Sequence, residues 1–114
     1  GITQLAAGRE AYQSCYAVKS DGTLYSWGYN GDGQLGDGTT TNSFVAQAVV
    51  GISDAIQIAA SNQSSCALIS GGSVKCWGSY EDSQLGNQDQ QEDALTPISV
   101  KYSNGENVVN AIPP

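Results

Sequence analysis

The sequence contains no histidine and no methionine, and only four of its 114 residues are lysine or arginine. The missing histidine removes the commonest general base and the commonest metal ligand. Serine nucleophiles are left without an imidazole partner, and no Cys-x-x-Cys, Gly-x-Ser-x-Gly or phosphate-loop motif takes its place. The carboxylates are scattered, so no acid–base pair is imposed by spacing. The chain therefore reads as no enzyme, with no cofactor and no metal. Arg9, Lys19, Lys75 and Lys101 stand against eleven Asp and Glu, for a net charge of −7. Nucleic-acid binding needs basic groups to neutralise phosphates, so no nucleic-acid partner is expected. No apolar run approaches the roughly 18 residues of a membrane span, so no membrane insertion is expected either. No leader segment is visible, and Gly1 begins inside a repeat-like segment, so the chain reads as excised from something longer.

What is present is glycine, tyrosine and uncharged polar residues between short apolar runs. Such a composition, with 13% charged residues, points to an all-β domain with many turns. One stretch occurs twice, as Ser14–Gly36 and Ser64–Gly86. The offset is constant: Trp77 − Trp27, Gly78 − Gly28 and Leu85 − Leu35 each give 50. A period of this size marks a propeller or solenoid. Ahead of each copy, Ile2–Gly8 matches Ala55–Ser61 at an offset of 53 (Gln57 − Gln4), which leaves residues 9–13 as an insertion, a longer loop. Strands are predicted over Ser14–Lys19 and Thr23–Trp27, joined by a Ser20-Asp21-Gly22 hairpin loop with glycine in the left-handed position. The second copy repeats them over Ser65–Ile69 and Ser73–Trp77. Further strands are predicted over Phe44–Val50 and, as its equivalent, Thr96–Val100.

The order small-x-Ala-aliphatic, Ser-Asp-Gly, Trp-Gly, Gly-Gln-Leu-Gly resembles the regulator of chromosome condensation (RCC1) repeat, many of whose tandem members form β-propellers. Ser14 and Ser64 occupy a slot where that family often has histidine. The resemblance implies two antiparallel blades: repeat one over about 1–50, repeat two over about 51–107, and 108–114 as the start of a third repeat or a junction strand. Trp27, Gly28, Leu35 and Gly36, with Trp77, Gly78, Leu85 and Gly86, are its structural positions, the tryptophans packing between blades. Two blades do not close a ring. Known propellers have about 4–8, so oligomerisation, with a homotrimer supplying roughly six, or missing repeats would complete it. Head-to-tail contacts close into rings when the rotation fits.

Counting outward from Ser70-Gly71-Gly72 places Cys66 opposite Cys76, at a separation that suits a disulfide. Some bacterial RCC1-like repeats have cysteine at both positions, which supports the pairing by resemblance; two free thiols are the alternative. A disulfide implies an oxidising compartment, at the bacterial cell surface or outside it. The same register pairs Tyr16 with Ser26. Cys15 has no partner and reads as a small buried residue, with an intermolecular bridge as the alternative.

The expected function is non-catalytic recognition of a glycan or cell-surface protein, as a terminal binding or adhesion domain of a longer fibre. Loops of successive blades gather on the faces of a propeller and supply contacts. Tyrosine gives rigid area with a polar tip, which suits recognition. Tyr12, Tyr29, Asn30, Asp32, Tyr80 and Glu81 are the candidate ligand-binding residues. The alternative is a secreted inhibitor of an enzyme such as a β-lactamase, by resemblance to a propeller with that activity.

Overall fold

The computed structural model describes residues 1–7, 13–61, 63–79 and 92–100. Eight strands appear in chain order: β1 (Ile2–Ala7), β2 (Ser14–Lys19), β3 (Leu24–Gly28), β4 (Ser43–Ala48), β5 (Ala55–Ala60), β6 (Ser64–Ile69), β7 (Val74–Gly78) and β8 (Ala94–Ser99). They form two antiparallel four-stranded sheets, ordered β1-β2-β3-β4 and β5-β6-β7-β8. The all-β, two-blade architecture is the one the repeat implied.

The registers repeat as closely as the sequence does. Leu5 pairs with Ala17 and Ile58 with Ala67, and both first strands carry an irregularity at the same place, Ile2/Gln4 and Ala55/Gln57. Between β2 and β3, Tyr16 faces Ser26; between β6 and β7, Cys66 faces Cys76. The hairpin loops close alike. The Lys19 N–H donates to the Thr23 carbonyl at 2.9 Å, and the Ile69 N–H to that of Ser73 at 2.8 Å. Gly22 takes the left-handed φ of +89° that this loop needs.

The outer strands correct one expectation. Gly28 pairs with Ser43 and Gly78 with Ala94, so β4 and β8 are related by 51 residues (94 − 43). They also start earlier than predicted, at Ser43 and Ala94, and end earlier, at Ala48 and Ser99. Both begin opposite the Trp-Gly glycine, where the register shifts. That glycine is required by the backbone. Gly28 and Gly78 have φ of +112° and +102°, and a Cβ on either would strike the carbonyl oxygen of Gln13 or Gln63. Those carbonyls accept the N–H groups of the following residues, Tyr29 at 3.1 Å and Ser79 at 2.7 Å.

The core lies between the sheets. The first contributes Tyr16, Val18, Leu24 and the following Val49; the second contributes Ile58, Ala67, Ile69 and Trp77, with Ile52 and Ala55 entering it. Trp77 is wholly buried and meets Tyr16 edge-on, centroids 6.3 Å apart. Gln4 reaches across from β1 to accept the Ile58 N–H. Cys66 and Cys76 are bonded, with Cα atoms 4.1 Å apart. Cys15 is free and half-buried. Among the described residues, no helix is long and apolar enough to cross a membrane.

Candidate functional site

Residues 29–42, between β3 and β4, form the longest described connection and hold three of the candidate contact residues: Tyr29, Asn30 and Asp32. Polar sequence and glycines make the segment turn-rich, but it is not loose. The wholly buried Asn30 ties it together. Its side-chain amide donates to the carbonyls of Thr39 at 2.8 Å and Thr41 at 3.1 Å. Its side-chain oxygen accepts the Leu35 N–H at 2.8 Å. Its own N–H donates to Asn42 Oδ1 at 2.8 Å. Buried polar groups persist when fully partnered, and a satisfied network rigidifies what it spans. Asn30 is therefore corrected from contact residue to internal clasp, because its side chain has no surface left to offer.

A second anchor fastens the loop to the blades. Tyr16 Oη and Trp77 Nε1 both donate to the Gln34 carbonyl at 2.7 Å, one from each sheet. Ser26 Oγ donates to the neighbouring Leu35 carbonyl at 2.7 Å. Gln34 and Leu35 are consequently buried. Burial pushes the Tyr16 phenol up to about 12, with the hydroxyls of Ser65 and Ser14 pulling weakly the other way. Ser65 Oγ is buried beside it without a hydrogen bond of normal geometry. Gly36 packs beneath Trp77, where a Cβ would lie 3.0 Å from the indole.

The outward part of the loop is built on these anchors. Tyr29 is half-buried, its ring lying over Gly31, and Ser14 Oγ holds its carbonyl at 2.6 Å. Asp32 is half-buried, and its N–H donates to Gln34 Oε1 at 2.8 Å. Asp37 accepts from the Thr39 N–H and hydroxyl at 3.0 and 2.8 Å, closing a turn with its carboxylate. Gly38 to Asn42 are exposed. Tyr29 and Asp32 thus share one loop surface. Tyr12, Tyr80, Glu81, Leu85, Gly86 and the segment 108–114 lie outside the described residues.

Trp77 packs between the blades as its repeat position implied; Trp27, at the same position of the first sheet, is half-exposed. Sequence reasoning missed Tyr16 and Gln34 as the joint of the two sheets, although Gln34 recurs as Gln84 in both copies. It also missed Gln4, which recurs as Gln57 in an otherwise apolar strand.

The regulator of chromosome condensation (RCC1) repeat profile matches residues 21–68, and a second RCC1 repeat profile matches residues 2–34. The RCC1 domain-containing protein RUG3, mitochondrial, of Arabidopsis thaliana is 36% identical over 103 residues, 89% of this chain and 22% of its own length. The protein RCC2 homolog of Danio rerio is 32% identical over 94 residues, 81% of this chain and 19% of its own. The chain spans about a fifth of the length of these relatives. Human WBSCR16 superposes with a TM-score of 0.77 at 24% identity, over 90% of this chain and 26% of that one. Prp20p of Saccharomyces cerevisiae, a protein described with its binding properties to Gsp1p and histones, superposes at 0.70 with 27% identity, over 95% and 27%. The Ser-Asp-Gly turn, the Trp-Gly irregularity and the buried Gln-Leu-Gly anchor are thus the parts of a known repeat, and the chain belongs to the RCC1-like β-propeller repeat family.

Proposed function

We propose that the chain is a non-catalytic recognition module whose contact surface is the β3–β4 loop, and that its partner is a protein. The observation that carries this is the Asn30 clasp. It holds a polar loop, exposed over residues 38–42, in one conformation, so little ordering is left to oppose binding. On this reading Tyr29 and Asp32 touch the partner, and Asn30 and Gln34 keep them in place. Of the two partners expected, a protein is favoured over a glycan because Prp20p is a protein binder by description and has been crystallised with Kap60 bound. A bacterial adhesion role has no support of this kind. The Cys66–Cys76 disulfide favours an oxidising compartment and is the feature that supports an extracellular setting.

The test is site-directed photo-crosslinking in extract of the source cells. A crosslinker at position 29 or 40 is expected to capture one protein in common, and one at position 54, beyond the loop, is not. The affinity of that protein should fall at least about tenfold for Tyr29→Ala/Asp32→Ala, a loss of about 1.4 kcal/mol. Capture from position 54 but not 29 or 40 overturns the reading, as does unchanged affinity of the double variant.

A further inference from the structure

The residue that clasps the β3–β4 loop is followed by a glycine, Gly31, whereas the other described asparagine, Asn42, is followed by Ser43. An Asn-Gly pair has a reaction of its own. The backbone nitrogen of the second residue attacks the side-chain Cγ of the first, and a glycine there leaves the approach open and the backbone free to turn. The Cγ–Nδ2 bond breaks, and ammonia leaves with the proton of the Gly31 N–H. Water then opens the five-membered imide at one of its two carbonyl–nitrogen bonds. The product is aspartate, or isoaspartate with the chain routed through the side-chain carbon. Water is the only co-reactant.

In the closed loop the reaction is held off. It needs an asparagine side chain free to rotate, and Asn30 is wholly buried with its oxygen on the Leu35 N–H and its amide on the carbonyls of Thr39 and Thr41. The tie is reciprocal. Thr39, Thr41 and Asn42 are exposed and are bound back through Asn30. Exposed segments open locally without global unfolding, and opening this one frees Asn30 at the same moment. The product does not close again. Asn30 Nδ2 lies 2.8 Å from the Thr39 carbonyl, 3.1 Å from that of Thr41 and 3.3 Å from the Asp37 carboxylate. These groups only accept hydrogen bonds, and aspartate puts a charged acceptor oxygen in place of the donor. A buried carboxylate facing two carbonyls and a second carboxylate is strongly disfavoured. We propose that Asn30 is a site of spontaneous deamidation, and that the reaction releases the β3–β4 loop irreversibly. The second repeat has Tyr80-Glu81 at the equivalent positions and so lacks the pair. This inference does not depend on what the loop binds.

The test follows the unaltered chain and a free peptide of residues 26–36 side by side in warm, mildly alkaline buffer. Peptide mapping by mass spectrometry reads the exchange of amide for carboxyl at each asparagine, and an isoaspartyl methyltransferase reports isoaspartate. Asn30 is expected to convert in the chain at least about tenfold more slowly than in the peptide, the factor for an opening that costs about 1.4 kcal/mol. Urea well below the unfolding midpoint should speed the conversion, while Asn42 stays an amide. A protease of low specificity should cut converted molecules within residues 38–42 and leave unconverted ones whole there. Asn30→Asp, made directly, should show the same cleavage with the β-sheet circular dichroism kept. An Asn30 that stays an amide while the peptide converts overturns the inference, as does one that converts as fast as the peptide. So does a converted chain, or Asn30→Asp, that resists cleavage at 38–42 as the unaltered chain does. Loss of the β-sheet signal on conversion shows damage to the whole fold in place of loop release, and also overturns it.

Discussion

Replacing Trp77 with phenylalanine should destabilise the chain far more than the same replacement at Trp27, although the two tryptophans occupy the same place in the repeat. Trp77 is wholly buried, its ring meets Tyr16 edge-on at 6.3 Å, and its indole N–H is bonded to the Gln34 carbonyl at 2.7 Å. Phenylalanine removes the N–H and about a third of the ring. The lost hydrogen bond costs about 1 kcal/mol. It is not the larger penalty of an orphaned acceptor, because Tyr16 Oη still donates to the same carbonyl. The missing ring atoms leave space that Gly36, directly beneath, cannot fill, for roughly 1–2 kcal/mol more. The aromatic contact is kept in altered form. A total of about 2–3 kcal/mol is expected for Trp77→Phe and less than about 1 kcal/mol for the half-exposed Trp27. Urea unfolding followed by far-ultraviolet circular dichroism measures both. Equal losses would refute the assignment of Trp77 as the joint between the sheets. So would a larger loss at Trp27.

Four further outcomes follow from the same structure. Asn30→Ala deletes the clasp and strands the Leu35 N–H and the Thr39 and Thr41 carbonyls; it should cost about 2–3 kcal/mol in urea unfolding and expose the 39–42 segment to limited proteolysis. Stability should fall as pH rises from about 10 to 12. The Tyr16 phenol is held up to about 12 in the folded chain, while the unfolded chain releases that proton near 10, so its contribution is complete below pH 10 and lost above 12. Comparing urea midpoints at pH 9 and 11.5 should show that Tyr16→Phe removes about 2 kcal/mol of this dependence. Reduction of Cys66–Cys76, which are 10 residues apart, should lower stability by about 2–3 kcal/mol, read as a shift in thermal midpoint with and without reductant in a Cys15→Ser background. Gly36→Ala should destabilise by more than 1 kcal/mol, about the ordinary cost of losing a left-handed glycine, because the new methyl also meets Val49 at 2.9 Å and the Trp77 indole at 3.0 Å.

The strands, the hairpin loops and the cysteine pairing were legible because they depend on neighbours within one repeat. A Gly at φ +89° after Ser-Asp, or two cysteines equidistant from a three-residue loop, constrains the backbone whatever lies beyond. The same local logic failed at the outer strands. Their starting points, Ser43 and Ala94, are set by pairing with the Trp-Gly glycine across the sheet, which the residues of the outer strands do not themselves announce. It failed again at Asn30. A polar residue in a glycine-rich loop reads as a surface group, and only the folding back of residues 39–42 over it makes it a buried clasp. No signal from the second copy helped, since Tyr80 holds the equivalent position.

Sequence alone determined that this chain is all-β, that it consists of two copies of one antiparallel unit, and which cysteines face each other. These follow from short-range steric rules and from a repeat that states them twice. Tertiary structure decided which of two like residues carries weight. Trp77 and Trp27 occupy the same place in the repeat, but among the described residues Trp77 has a sheet against it and Trp27 does not. Burial belongs to the pair of surfaces that meet, and a repeated sequence does not say which of its copies has a neighbour.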